Sequence, residues 1–542
     1  MKNSFKYIVT FSISMLLIIS CSKDRLNVEP VNEYLSNNYY QTEAQIGSAL
    51  IGAYDPIGWS MAFGQWISPT MYGEIRSDNA NAGGDNTNND QPGWQEFDDF
   101  TNTNTNTVIH PMYKRNYIGI ARVNALLQFN QVENNATVEV YKAEALFLRA
   151  YYHFELFRHF GPVPVVTTVL APDEVNRKRN TMSELMQQVV DDCAAAAAVL
   201  PVRANSGEEG RATKGAALAL MGKAYLYWAD LKNDDAALFG KARDAFQQVV
   251  DLGVYELEDN MRGLFSFDSR NTKEAVFEIQ HNPLWSSDWG WYEGIDGNGM
   301  IQLCGIRGLC SNHPRYEAGW GFMMVTPSLW NHFLSDDEYR RDVAIASDEA
   351  LAKEIADSGV ACNTAVDKSQ ANPIDYTGYW QQKYANYKAF AGGNVNGGNE
   401  HLTKSLITKA IRYADVLLML AEAIHRSGGA DGDALKYIDM VRERAAGPGD
   451  NTGKFRTGST VMAQEGWNLL QLIWYERRAE LACEGDRWFD LVRSGRANAN
   501  LFTGDGDKAS TFSAQHLWLP VSLEETQLAT GMTTYPDPSL FQ

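Results

Sequence analysis

The sequence is short of positive charge. Across 542 residues, 47 Lys and Arg stand against 67 Asp and Glu, a net charge of −20. Such a surface repels phosphate backbones and anionic headgroups, which excludes nucleic acid as a partner but leaves neutral ligands such as sugars open. Long apolar runs are also scarce. Beyond the N-terminal stretch, none reaches the ~18 residues that suggest a membrane span. Catalytic signatures are missing as well: there is no Gly-x-Ser-x-Gly elbow, Walker loop or dinucleotide fingerprint. His153, Glu155 and His159 lack the His-Glu-x-x-His spacing of a zinc protease. What remains is an ordinary globular composition, 44% hydrophobic and 21% charged, with nothing to suggest disorder over the whole length.

The N-terminus carries Lys2 and Lys6, then an apolar stretch from Ile8 to Ile19 broken by Thr10, Ser12 and Ser14. It is too short to span a bilayer and reads as a signal-peptide core over residues 1–20. It ends at Ser20-Cys21, which resembles a bacterial lipobox, with Ile18 and Ile19 in place of smaller residues. The resemblance implies cleavage before Cys21 and acylation of that residue. Two or more acyl chains give stable anchoring, because each buried methylene adds ~0.8 kcal/mol. Ser22-Lys23-Asp24 resembles the short charged tag of surface-exposed lipoproteins.

Five cysteines follow Cys21. Cys193 and Cys483 lie in helical patterns and read as small buried hydrophobes. Cys304 and Cys310 share a Gly-rich loop, where a local disulfide is expected in an exported protein. An odd count leaves at least one thiol free or paired between chains.

Helical periodicity is strong in several segments. Residues 138–160 place Leu146, Ala150, Phe154 and Phe157 on one face and stop at Gly161-Pro162. Residues 213–231 pair with 239–251, and 409–427 with 432–445 across Ser427-Gly428-Gly429. Residues 466–493 form a further helix interrupted near Gly485. Gly222, Tyr225, Ala242 and Phe246 stand where a tetratricopeptide-type helix pair wants small or aromatic residues, although the period is irregular. Two stretches differ. Residues 56–110 and 259–404 are rich in Gly and Asn and contain many aromatics, as loops that carry function do.

Four blocks, in order, resemble the SusD/RagB family: residues 144–164 (EALFLRAYYHFELFRHFGPVP), 411–424 (IRYADVLLMLAEAI), 441–445 (VRERA) and 475–491 (YERRAELACEGDRWFDL). Asp415 stands where Glu is common, and the closing segment from Leu519 to Leu540 matches in part. The resemblance implies a mainly α, SusD-like fold with degenerate tetratricopeptide-type helix pairs and a long loop-rich ligand region. It implies one domain over 21–542, with helical scaffold at about 37–55, 111–258 and 405–500 and ligand loops at about 56–110 and 259–404. It also implies an outer-membrane lipoprotein, exposed at the cell surface, that hands oligosaccharides to a TonB-dependent transporter of the SusC type. Arg149, Glu480, Glu484 and Arg487, inside otherwise apolar helices, read as paired charges that fix helix register.

Sugars offer apolar CH faces and a rim of hydroxyls, so a site needs flat aromatic rings with polar groups beside them. Trp59, Trp66, Trp94, Trp285, Trp289, Trp291, Trp320 and Trp330 place eight of the 14 tryptophans within 59–94 and 285–330, which favours loop platforms. Gly93-Trp94-Gln95-Glu96 through Tyr117-Ile118 resembles a family stretch that supplies ligand-contacting aromatics. Arg76 and Asp78 could bind hydroxyls. Two-residue steps put Trp289 and Trp291 on one face of an extended strand, with Tyr292 beside them. Each of these residues has a core reading as well; Trp330 and Trp228, on helical patterns, read as core. The Asp/Asn-rich run from Ser77, holding Asp78, Asp85 and Asp90, offers oxygen ligands for Ca²⁺ without EF-hand spacing, and surface turns favour the same residues. No other cofactor and no catalytic residue is expected. Two alternatives stay open. A glycoside hydrolase would need two opposed carboxylates, for which Glu293 and Asp296 are one chance pair, and a peptide-binding repeat protein would need neither.

Overall fold

The computed structural model describes residues 39–541 apart from 88, 282–294, 296, 370–373, 391–398, 449–454 and 505. Residues 1–38, including Cys21, lie outside the described residues. No helix among those described is long and apolar enough to cross a membrane.

The architecture is mainly helical. The first half is a run of neighbours: α1 (Glu43–Gly58), α2 (Ile109–Phe129), α3 (Ala136–Phe160), α4 (Met182–Val199), α5 (Lys214–Leu231) and α6 (Ala236–Asp251), each packed on the next. Their starts are written locally. Thr42, Asn135, Thr181, Thr213 and Asp235 each accept a backbone N–H of the first turn through the side chain. The second half adds α7 (Tyr413–Arg426), α8 (Asp431–Ala445), α9 (Leu469–Glu480) and α10 (Arg487–Arg493), with α7 lying against α6, α8 and α9.

The expected α5–α6 pair is present, and its contact explains Gly222. A Cβ there would stand 2.6 Å from the Phe246 ring, so the glycine lets the two helices close up. The helix expected from 409 begins later. Thr408–Arg412 is a strand paired antiparallel with Ala275–Ile279, and α7 starts at Tyr413. The helix expected over 466–493 is two helices. Between them Gly485 adopts φ 94° and presses on the backbone of Thr70, a contact no side chain would permit.

The signature charges pair as register-fixing ions. Arg149 grips Asp192 with two bonds, Nε to Oδ2 at 2.8 Å and Nη2 to Oδ1 at 2.7 Å. Arg477 on α9 joins Asp415 of α7 to Asp490 of α10 at 2.8 and 2.7 Å. Arg493 joins Asp490, Glu422 and Asp230. Glu480 is ringed by Arg412, Arg444 and Arg340, and Glu484 accepts from Arg412 and Lys383. Arg340 and Lys383 come from the loop-rich region, so the same charges tie that region to the helical scaffold.

Within 259–404 the regular elements are short. Two-residue hairpin strands β1 (Met61–Ala62) and β2 (Gln65–Trp66) and the pairs Ala80–Gly83 with Phe322–Val325 and Ile345–Ser347 with Tyr379–Gln381 organise both loop stretches. Satellite cores form under them, one around Ile306, Tyr316, Met324 and Trp380.

The cysteine pairing differs from the expectation. Cys310 bonds to Cys362, with Cα atoms 6.2 Å apart, and Cys304 is a free, buried thiol. An antiparallel bridge between Leu309 and Val366, with Cys310 N–H donating to Ala365 at 2.9 Å, lays the distant segment beside Cys310. Cys304 instead caps a helical turn and points into the core. Non-reducing peptide mapping is expected to recover Cys310 linked to Cys362. Cys193, Cys304 and Cys483 should be alkylated only after unfolding.

Candidate functional site

Of the anticipated platform tryptophans among the described residues, Trp59, Trp66 and Trp94 are buried and Trp320 is half-buried. Trp94 is 0% exposed and packs edge-on against Phe97. Arg76 is also fully buried; its guanidinium lies over Phe100 and Trp488 and donates to Asn102, Phe97 O and His516 O. Asp78 is taken by Arg487, whose Nε and Nη2 lie 2.8 and 2.9 Å from its two oxygens, and by Arg478. Trp94 and Arg76 are closed off from solvent, and both carboxylate oxygens of Asp78 are engaged by arginines. The stretch to Tyr117 behaves alike, with the Tyr117 hydroxyl donating to Pro164 O at 2.7 Å. Trp285, Trp289, Trp291, Tyr292, Glu293 and Asp296 lie outside the described residues. Trp330, read as core, is half-buried, stacked on Tyr379 and covered by Arg341. Trp228 is buried.

Of the residues considered for calcium, Asp78 is held by Arg478 and Arg487. Asp85 binds the Thr87 backbone and hydroxyl and Arg307, and no group of three acidic, His or Cys residues among those described could hold a metal.

Three of the anticipated residues do come together. The β1–β2 hairpin turns through Phe63 and Gly64, both at positive φ (53° and 75°), the two-residue turn that matches strand twist. An aromatic residue in that conformation is uncommon and holds Phe63 at the tip, against Trp59 on one side and Lys114 on the other. Across the hairpin, Trp66 meets Trp320 edge to face with centroids 5.7 Å apart, and Trp320 meets His401 at 5.7 Å. Trp59 and Trp66 are 4% exposed; Phe63 beside Trp59, Trp320 beside Trp66 and His401 beside Trp320 are half-buried.

Backbone contacts assemble this cluster. Trp320 sits between Gly319 and Gly321, whose N–H groups bond to Ile306 and Gly305; its own N–H donates to Gln302, and Arg307 donates to its carbonyl. Asn298 N–H donates to Lys404 O at 2.7 Å, which brings His401 alongside. Ser60 Oγ accepts from Gly299 N–H and donates to Gly297 O, both at 2.9 Å. Gly299 then lies directly beneath Trp66, where a methyl group would overlap the ring. Burial lowers the pKa of His401 and of Lys404. Burial thus disfavours the imidazolium form of His401, and its Nδ1 is itself buried without a partner among the described residues. Half-exposed rings suit the apolar face of a sugar, and nothing marks His401 in the sequence. Gly299→Ala is expected to push Trp66 outward, tilt Trp320 and weaken ligand binding severalfold while the far-UV spectrum is kept; titration calorimetry of the variant reads this.

A second aromatic surface was not anticipated. Trp518 stacks on Phe541 at 5.3 Å and, with Tyr535 and Pro536, lines a cavity of about 520 Å³. Its wall is almost wholly apolar and offers little to sugar hydroxyls.

Comparison with known proteins places the chain in context. The model of the SusD family matches residues 273–536, and that described as starch-binding associating with outer membrane matches 24–226. A SusD-like protein P2 from Formosa agariphila is 25% identical over 506 residues, 90% of each chain. A solved laminarin-binding SusD-like protein is 27% identical, covers 92% of this chain and 100% of its own, and superposes with a TM-score of 0.74. Surface glycan-binding protein A from Bacteroides thetaiotaomicron, solved with laminarihexaose, is 23% identical over 91% of this chain and 98% of its own, with a TM-score of 0.76, and shows the shared fold.

Proposed function

The chain belongs to the SusD family, and from that premise we propose that it is a surface glycan-binding protein and not an enzyme. The observation that carries the reading is the half-buried Trp320 ring between Trp66 and His401, with half-buried Phe63 beside Trp59 at the tip of the same hairpin. Such rings offer apolar planes to the CH faces of a pyranose. The acidic surface disfavours anionic polysaccharides and tolerates neutral ones. With the laminarin-binding relative at 27% identity, the first ligand to test is a laminarin oligosaccharide.

The protein is anchored through acylated Cys21 at the outer-membrane surface and delivers its ligand to a TonB-dependent transporter of the SusC type. Support for this part is the lipobox at Ser20-Cys21 and the family membership. A glycan array set beside a peptide panel tests ligand class. Signal on neutral glucans with none on peptides is expected, and peptide binding alone contradicts the proposal. Palmitate labelling lost in Cys21→Ala, together with co-purification of a transporter from native membranes, tests the anchor and the partner.

A further inference from the structure

Lined by Trp59 and the end of α1, Arg115 of α2, Tyr151 and Arg158 of α3, Ile279 and Thr408–Ala410 of the paired strands, and Glu484–Asp486 is a cavity of about 70 Å³. At ~10–15 Å³ per water-sized position this is room for about five to seven of them. Its wall is rich in charge, and most of that charge is matched. Glu484 is held by Lys383 and Arg412, Asp486 by Lys223 and Arg158, and Lys409 by Glu278. Arg115 is the remainder. It is 4% exposed, and among the described residues its one hydrogen bond runs from Nη1 to the Trp59 carbonyl at 3.2 Å. Its Nε–H has no acceptor, and among the described residues no carboxylate oxygen lies within 4 Å of it.

Arg158, on the same wall, binds Glu155 and Asp486 through its terminal nitrogens. Tyr151, also on the wall, makes no hydrogen bond through its hydroxyl among the described residues. Glu155 is the carboxylate that acts most on Arg115, but it stands off the wall and is engaged by Arg158. A buried cation without a counter-charge is strongly unfavourable, and orphaned donors add to the cost. The arrangement suits a small anion: one unmatched guanidinium and a phenol on the same wall.

We propose that this cavity binds one small monovalent inorganic anion of halide size, held by Arg115 with the Tyr151 hydroxyl as a further donor. The test uses the mature full-length chain. Crystals grown with bromide as the halide, measured at the bromine edge, should show an anomalous peak within about 3.5 Å of the Arg115 guanidinium. In solution, raising chloride from a few to a few hundred millimolar should raise the melting temperature by about 1–3 °C over gluconate at equal ionic strength, because an anion that binds only the folded state stabilises it by mass action. Arg115→Gln should lose both the peak and the difference, and Tyr151→Phe should shrink the difference. If Arg115→Gln does not fold, the wild-type map and the chloride–gluconate comparison decide. A cavity with water and no anomalous peak overturns the proposal. So does a peak without any chloride-specific shift, which marks binding at crystal concentration only.

Discussion

Glu480→Ala is expected to destabilise the protein by about 3–5 kcal/mol, the cost of removing one partner from a buried ion cluster. Glu480 is 0% exposed and lies at the meeting point of α8, α9, the strand Thr408–Arg412 and the helix carrying Arg340. Removing it strands the charges of Arg412, Arg444 and Arg340, and Glu274, which contacts the first two, can compensate only in part. Glu480→Gln keeps the shape and loses the charge, so it should fall between wild type and Ala in chemical denaturation. A cost below about 1 kcal/mol for Ala would mean that the cluster is not what ties the loop-rich region to the scaffold.

The same cluster sets the acid limb of stability. Burial by itself would raise the Glu480 carboxyl, but Arg444, Arg412 and Arg340 outweigh it and hold it down at about 2. Glu484 is lowered in the same way by Arg412 and Lys383, against its own burial. A carboxylate with a depressed folded pKa stabilises above its unfolded value, near 4.3, and that contribution is lost as pH falls through the folded value. The loss should therefore run from about pH 4 toward pH 2. Glu74 and Asp98 oppose this, since burial pushes each up to about 7. Their contribution is present below about pH 4 and falls away as pH rises toward 7. A melting-temperature profile should be highest between these two limbs, and Glu480→Gln should flatten the acid limb.

Trp320→Ala is expected to weaken binding of a laminarin oligosaccharide at least tenfold, with little change in melting temperature. Trp320 is half-buried and fixed at its backbone by Gln302, Arg307 and the flanking glycines. Losing a large aromatic at the centre of a binding surface costs about 2 kcal/mol or more, while a half-exposed side chain contributes less to folding. Trp94→Phe provides the contrast. Trp94 is wholly internal, so this change should alter stability and leave affinity alone. Calorimetry and thermal melts on both variants separate the roles.

Much of the scaffold was legible because helices advertise themselves. The apolar period of residues 138–160, the small residue at Gly222 and the caps at Thr213 and Asp235 all act within a few residues of chain. Family resemblance located the conserved-looking charges, and simple electrostatics assigned them to each other and not to a ligand. The loop-rich stretches were harder. A tryptophan among glycines and asparagines is needed equally by a platform and by the small core under a long loop, so Trp94 and Trp320 look alike in sequence and differ only in the fold. Arg76 and Asp78 looked like ligand contacts because they sit just before the aromatic stretch at Trp94; their partners are as far away as His516 and Arg487. The disulfide was misassigned to Cys304 and Cys310 because nearness in sequence is a poor guide when a strand-like bridge brings in Cys362. His401 was missed because its place beside Trp320 depends on backbone contact between segments near 298 and 404, which no pattern records.

The most direct test is calorimetric titration of laminarihexaose into the purified mature chain, followed by chromatography of the recovered hexaose. The account expects saturable binding that is weakened at least tenfold in Trp320→Ala, with the hexaose recovered intact. Cleavage of the hexaose, or wild-type binding that Trp320→Ala leaves unchanged, would contradict it.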